Sequence, residues 1–541
     1  MGNTISYGTT DCILDLGSKG SIKGVQYDNK ARRYAGVPYA LPPTGPHRWR
    51  KPRPLPPSFK YDDGQGKPFN ATKFGPVCPQ QAFHLNVESE GTEAFSEDCL
   101  FVNIWTPVEE KNSRDAEGKW PVYIWLHGGW FQIGDPSQEV GMDPTELIST
   151  GKLNAIVVAA GYRLNVFGFL AGKVFLEDSG GKAAGNFGLW DQRLAMEWVR
   201  DNIEAFNGDS TNITLAGRSA GAYSVHAQVL HEFRTPVTSS VQKQLFRRFF
   251  MCSNTIPAQP KTIAESESQF EEMCEYFKIS SSLSGVEQVA ELRKLSFKDL
   301  LHSISKLKNH TFRPITDNLF FHSGMVEYQN NGNFAADFKK RNMKLLIGEV
   351  LNEETLYATY NSPQEATLES LKRQISNYYA PATTERILKH YGWPESNDLL
   401  EWKAHFGKII ADGQVRAPSR ALVNDLGKHG VSIEDIWRYR VAYRLSFITE
   451  QVAPASFGVS HAMDKPFWNF SIMHGPTSAE RKLMEDWISM LVAFVNGDST
   501  YQFGTSSVEE MKVATPDGTI EVQEDSRWTQ LVELGEIFAS G

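Results

Sequence analysis

The chain has 541 residues with 55 basic and 64 acidic side chains, a formal net charge of −9. An acidic balance argues against a nucleic-acid partner, and no apolar run approaches the roughly eighteen residues needed to span a bilayer. Length alone would allow about three or four domains, but the features below are spread over most of the chain, so one large sheet must gather them.

The first strong element is Val122-Tyr123-Ile124-Trp125-Leu126, an apolar run that reads as a buried strand. It leads into His127-Gly128-Gly129-Trp130 and then Gly134, a glycine loop suited to presenting backbone N–H groups to an oxyanion. One such donor is worth roughly 3–4 kcal/mol of transition-state stabilisation, which gives close backbone approach a catalytic rationale. By itself the segment is equally a Gly-rich turn.

Next comes a short apolar run, Ile213-Thr214-Leu215-Ala216, ending in Gly217-Arg218-Ser219-Ala220-Gly221. This fits the G-x-S-x-G elbow, which lifts a serine hydroxyl clear of a sheet between strand and helix. A serine is a weak nucleophile at neutral pH and needs an adjacent base. Residues 222–230 can continue as the helix. A charged helical stretch runs from Ile263 to Leu307. Lys344-Leu345-Leu346-Ile347-Gly348 is another strand, followed by Asn352-Glu353-Glu354-Thr355. A second helical stretch spans Gln364 to Gly407, and Phe457-Gly458-Val459-Ser460-His461-Ala462-Met463-Asp464 sets a histidine in a Gly/Ser loop. The order serine, acid, histidine is that of an α/β-hydrolase. A single buried-looking His or Glu has many bland explanations, but four features in one required order do not.

The chain resembles the type-B carboxylesterase/lipase family, which includes cholinesterases and fungal lipases. The resemblance begins at Arg33-Tyr34-Ala35-Gly36-Val37-Pro38 and continues through Ser96-Glu97-Asp98-Cys99-Leu100 and Tyr162-Arg163-Leu164. It runs on through Gly185-Asn186-Phe187-Gly188-Leu189-Trp190-Asp191-Gln192 and ends with Trp487 to Gly497-Asp498. It implies one α/β-hydrolase domain over 1–541, a large mostly parallel central sheet flanked by helices. The insertions near 263–307 and 364–407 would then form a helical cap over an active-site gorge.

Carried over by motif, Ser219 is the nucleophile, His461 the base, and Glu353 the acid that orients it. Glu354 stands where the family usually has glycine and is the alternative carboxylate. Gly129, Trp130 and Ala220 would supply the oxyanion hole. The implied activity is hydrolysis of carboxylic esters through an acyl-enzyme, with a small-molecule ester as partner and neither metal nor cofactor required. The same triad could instead serve acyl transfer or lactone formation. Some adhesion relatives are non-catalytic binding proteins, but those lack the serine.

Two departures stand out. Trp130 replaces the third glycine of the loop, so an indole must fit beside the acyl pocket or turn into the core. Arg218 replaces a family Glu beside the nucleophile. Either it reverses the charge felt in the gorge, or it pairs with a buried carboxylate as a strut, as buried arginines usually do.

The resemblance also implies disulfides Cys78–Cys99 and Cys252–Cys274, with Cys12 left over, and disulfides suit an oxidising compartment. Met1 to Ser6 shows no apolar signal region, which favours an intracellular, cytoplasmic protein, a removed leader being the alternative. That start also matches the N-myristoylation pattern at Gly2. Between Cys78 and Cys99 the chain is acidic (Glu88, Glu90, Glu93, Glu97, Asp98), unlike an oil-seeking flap, so soluble esters are expected in preference to lipids.

Overall fold

A computed structural model describes residues 7–81, 95–108, 118–137, 143–235 and 244–539. Gly2 and the acidic residues Glu88, Glu90 and Glu93 lie outside these. Fifteen strands occur among the described residues: β1 (Thr9–Asp15), β2 (Ser21–Tyr27), β3 (Ala31–Pro38), β4 (Ala40–Leu41), β5 (Arg53–Pro54), β6 (Phe69–Asn70), β7 (Phe101–Pro107), β8 (Trp120–Leu126), β9 (Ile156–Ala160), β10 (Gly208–Arg218), β11 (Arg248–Cys252), β12 (Lys344–Val350), β13 (Ile436–Val441), β14 (Glu510–Ala514) and β15 (Ile520–Glu524).

Thirteen of them form one sheet in the order β1-β2-β3-β7-β9-β8-β10-β11-β12-β13-β14-β15, with β6 beside β2; β4 and β5 pair separately. From β9 to β14 every pairing is parallel. The pairings outside that run, apart from β6 with β2, are antiparallel. This is the α/β-hydrolase fold that the sequence resemblance implies. The chain steps from β8 to β9 on one side, then to β10 on the other, so the sheet order reverses at β8. A crevice opens beyond the carboxyl ends of strands at such a reversal.

Parallel strands covered on both faces need apolar side chains on both. Val122, Ile124 and Leu126 of β8 enter one core, while Tyr123 and Trp125 enter the other. In β11, Phe249 and Met251 face the first core, and Phe250 and Cys252 the second. The expected strands are all present and longer than the apolar runs that announced them. β10, for example, begins at Gly208, which pairs with Trp120 before an irregularity, and the regular register resumes at Ile213.

Both charged stretches are helical. The first holds Ile263–Tyr276, Gly285–Arg293 and Phe297–Ile304; Thr262 and Ser284 close capping boxes with Glu265 and Glu287. The second holds Leu368–Ser376, Pro381–Tyr391 and Leu399–Ala411. These pack with Tyr357 and the last helix, Trp528–Ala539, into a core of their own. The helix Ser478–Asn496 ends at Gly497, whose φ of 68° closes its C-terminus. Among the described residues no helix is long and apolar enough to cross a membrane.

The cysteines depart from expectation. All five are free thiols. Cys78 and Cys99 lie side by side, so the expected neighbours do meet, as thiols. Cys252 and Cys274 do not form a pair. Cys252 closes β11 and faces the second core, whereas Cys274 on the helix Ile263–Tyr276 belongs to the first, across the sheet. Alternation of side chains along a strand decides this, and no spacing of cysteines reveals it.

Candidate active site

The elbow forms where β10 turns into the helix Ala220–Arg234, and Ser219 sits between them with φ 55° and ψ −124°. A non-glycine residue there costs on the order of 1–3 kcal/mol, so the surroundings must enforce it. The Ser219 N–H donates to the Cys252 carbonyl at 2.8 Å, and the Tyr223 N–H donates to the Ser219 carbonyl at 2.9 Å. Glycine is required on either side. A Cβ at Gly217 would lie 2.4 Å from the Gly221 oxygen, and one at Gly221 would lie 2.0 Å from the Leu126 oxygen. Ser224, the next serine along, is committed elsewhere: buried, it donates to the Ala220 carbonyl at 2.9 Å and accepts from Gln192 at 3.0 Å.

The loop after β8 lies directly against this turn. A Cβ at Gly128 would stand 2.8 Å from the Arg218 oxygen and 3.1 Å from the Ser219 Cβ. Gly129, Trp130 and Phe131 have positive φ values of 113°, 56° and 66°. Side chains hold this conformation. Gln80 exchanges two hydrogen bonds with the Gly134 backbone at 2.7 and 2.9 Å. Gln132 donates to the carbonyls of Trp130 and Phe312 at 3.0 and 2.6 Å. The Tyr162 hydroxyl donates to the His127 carbonyl at 2.7 Å, its ring stacked on the His127 ring. Next to it, Arg163 is buried and doubly bonded to Asp191 at 2.7 and 2.8 Å. The Trp130 indole turns neither into the core nor away. It is half-buried with its ring 6.2 Å from that of Tyr360, and its N–H acts on the Tyr378 phenol.

Glu353 and His461 come together. The His461 Nδ1 and Glu353 Oε2 are 2.5 Å apart and both side chains are buried. Facing a carboxylate, Nδ1 carries the proton, which leaves Nε2 as an acceptor. That Nε2 has no hydrogen-bond partner among the described residues. Glu353 also accepts the Val350 N–H at 2.9 Å, so its second oxygen is satisfied. Glu354 instead pairs with Arg416, which further binds Asp412 and the Leu351 carbonyl. The two carboxylates left open by sequence are therefore sorted by direction: one points at the histidine and its neighbour at an arginine. The acid turn and the histidine loop are joined by backbone. The Asn352 N–H donates to the Val459 carbonyl at 2.9 Å, the Val459 N–H donates to Asn352 Oδ1 at 3.1 Å, and Thr355 bonds Ser460 at 2.7 Å.

Arg218 is buried and paired with the fully buried Asp464, three residues past His461. Burial would push its guanidinium down, but the Asp464 carboxylate outweighs burial and holds it above its usual range. Asp464 also accepts the Trp468 N–H at 2.8 Å. The strut is thus the arrangement present, and Asp464, which sequence reasoning passed over, completes it. Its only sequence signal is its place in the histidine loop.

The Carboxylesterase family model matches residues 13–533. An esterase/lipase of Schizosaccharomyces pombe is 36% identical, the alignment covering 99% of this chain and 98% of that protein. A carboxylic ester hydrolase of Gibberella moniliformis is 35% identical over the same shares. Among solved structures, a PNB esterase superposes with a TM-score of 0.72 at 25% identity, covering 97% of this chain and 100% of its own. The serine turn, the backbone-rich loop against it and the Glu–His pair thus sit on a chain that belongs to the carboxylesterase family and is a carboxylic ester hydrolase.

Proposed function

We propose that hydrolysis proceeds through an acyl-enzyme on Ser219. The Ser219 Oγ attacks the ester carbonyl carbon while its proton passes to His461 Nε2. The charge that develops on the carbonyl oxygen is received by the backbone N–H groups of Gly129, Trp130 and Ala220. Collapse expels the alcohol, which takes the proton from Nε2. Water, deprotonated by the same nitrogen, then attacks the acyl group and releases the acid and Ser219. Glu353 fixes the imidazole tautomer and offsets its charge when protonated. The observation that carries this reading is the Nδ1–Glu353 contact at 2.5 Å beside an Nε2 that has no partner among the described residues.

A fluorophosphonate followed by intact mass and peptide mapping tests it. One adduct on Ser219 is expected, with loss of ester hydrolysis in Ser219→Ala. Labelling at Ser224, or an active Ser219→Ala, would overturn it. The substrates we infer are soluble small esters, a reading supported by the acidic composition between Cys78 and Cys99. A jump in rate as a triglyceride passes its solubility limit would count against that reading.

A further inference from the structure

The buried arginines of this protein are matched to acids: Arg163 to Asp191, Arg218 to Asp464, Arg420 to Glu349 and Asp525. Arg313 differs. Its guanidinium carbon lies 4.9 Å from the Tyr378 ring centre, 5.6 Å from Tyr223 and 5.7 Å from Phe131, and its Nη2 donates to Gln414 at 3.2 Å. Among the described residues no carboxylate forms an ion pair with it. Three aromatic faces can hold a cation, but they leave its fork of N–H donors without a carboxylate.

Arg313 lines a narrow cavity of about 30 Å³ together with Lys261, Tyr223, Tyr378, Tyr379 and Gln414. Among the described residues Lys261 has no carboxylate partner either: its Nζ donates to the Ser376 carbonyl at 2.7 Å. Glu265, whose charge reaches Lys261, accepts from the Thr262 N–H and hydroxyl at 2.8 and 2.9 Å. Burial, reinforced by repulsion from Arg313, pushes the Lys261 amine down to about 8. Two cations therefore share a cavity without an acid, an arrangement that an entering anion would relieve.

One wall of this cavity comes from the nucleophile's own helix. Tyr223 is on the helix that Ser219 begins, ~6 Å of helical rise beyond it, and Phe131 belongs to the glycine loop. A bidentate carboxylate matches the arginine fork better than any neutral group does. We propose that the cavity receives a carboxylate carried by the substrate several bonds from its scissile carbonyl, so that the enzyme favours esters bearing a free acid. The proposal rests on Ser219 as the reacting residue.

The test compares kcat/KM for mono-4-nitrophenyl glutarate and 4-nitrophenyl pentanoate. In Arg313→Gln the anionic-to-neutral ratio should fall tenfold or more, mainly through KM. Lys261→Gln should lower it several-fold, and Arg313→Lys should recover part of it. A ratio unchanged in Lys261→Gln and in whichever Arg313 variants fold would overturn the proposal. Calorimetric titration of Ser219→Ala with glutarate reads the cavity without chemistry. Binding should be present and should be lost when Arg313→Gln is added; binding that ignores Arg313, or no binding, overturns the anion site. A Ser219→Ala protein that still hydrolyses esters would instead overturn the nucleophile assignment.

Discussion

Arg218 and Asp464 form a buried ion pair that ties the end of the nucleophile strand to the loop carrying His461. The two catalytic segments lie far apart in sequence, and each ends in an irregular turn that cannot position itself. A fixed pair between the residue before the serine and the residue three past the histidine couples those turns. The charge of Arg218 is spent inside this contact rather than in the gorge.

Removing one partner should therefore unfold more than it retunes. Arg218→Met or Asp464→Leu alone should cost about 3–5 kcal/mol, since each leaves a buried charge uncompensated, while the double variant should recover much of that loss. Chemical denaturation measures both. Among folded variants, the ratio of rates on choline and neutral esters should stay near that of the parent. A shift of tenfold toward the cationic ester would show that the gorge senses Arg218.

Glu353 and Glu354 should separate cleanly. Glu353→Gln should lower kcat by up to about 10⁴-fold, because the imidazole would lose the partner that sets its tautomer. Glu354→Gln should leave kcat within a few-fold and show its effect in melting temperature, through the lost contact with Arg416. The reverse pattern in steady-state kinetics would mean that His461 changes partner in solution.

Ser219 occupies a backbone conformation that glycine adopts without strain. Ser219→Gly should abolish hydrolysis yet raise stability by about 1 kcal/mol relative to Ser219→Ala, which keeps the strain. Denaturation of the two inactive proteins side by side checks this. Equal stability would mean that the turn relaxes in solution.

Acid stability should depend on the helix that follows the nucleophile. Burial pushes His226 down to about 3 and His231 down to about 4, the latter aided by Arg193. The unfolded chain binds these protons near pH 6.5 and the folded protein does not. Stability from this source is thus complete above pH 6.5 and drains as pH falls toward the folded values, by up to ~1.4 kcal/mol per unit for each histidine. The His226 Nδ1 accepts the Ile256 N–H at 3.2 Å, an acceptor that glutamine can replace. His226→Gln should make the fall in urea midpoint between pH 6.5 and 5 visibly shallower. An unaltered slope would assign it to other groups.

Much of this was readable from the chain alone. The elbow at Ser219, the glycine loop before it, the strand at Lys344 and the order of acid and histidine are local patterns. Their physical causes, close approach of backbone and alternate or continuous burial, act within a few residues. The stretches 263–307 and 364–407 were legible as charged and helical; the capping residues Thr262 and Ser284 that begin two of their helices emerge in the structure.

Other features depended on direction and distance across the sheet. Sequence placed Glu353 and Glu354 side by side, but only the folded turn aims one at His461 and the other at Arg416. It showed that Arg218 departs from its relatives, and the tertiary contact with Asp464 decided what that means. It suggested a Cys252–Cys274 bridge, and the two faces of β11 forbid it, because successive side chains on a strand enter opposite cores. Arg313 gave no sequence signal at all. In the sequence it is like any other arginine until three aromatic rings and a second cation, drawn from distant segments, gather around it without an acid. Composition and short-range pattern determine which elements form and what chemistry they can carry. Which charges meet, and which are left waiting for a partner, is settled by packing between segments far apart in the chain.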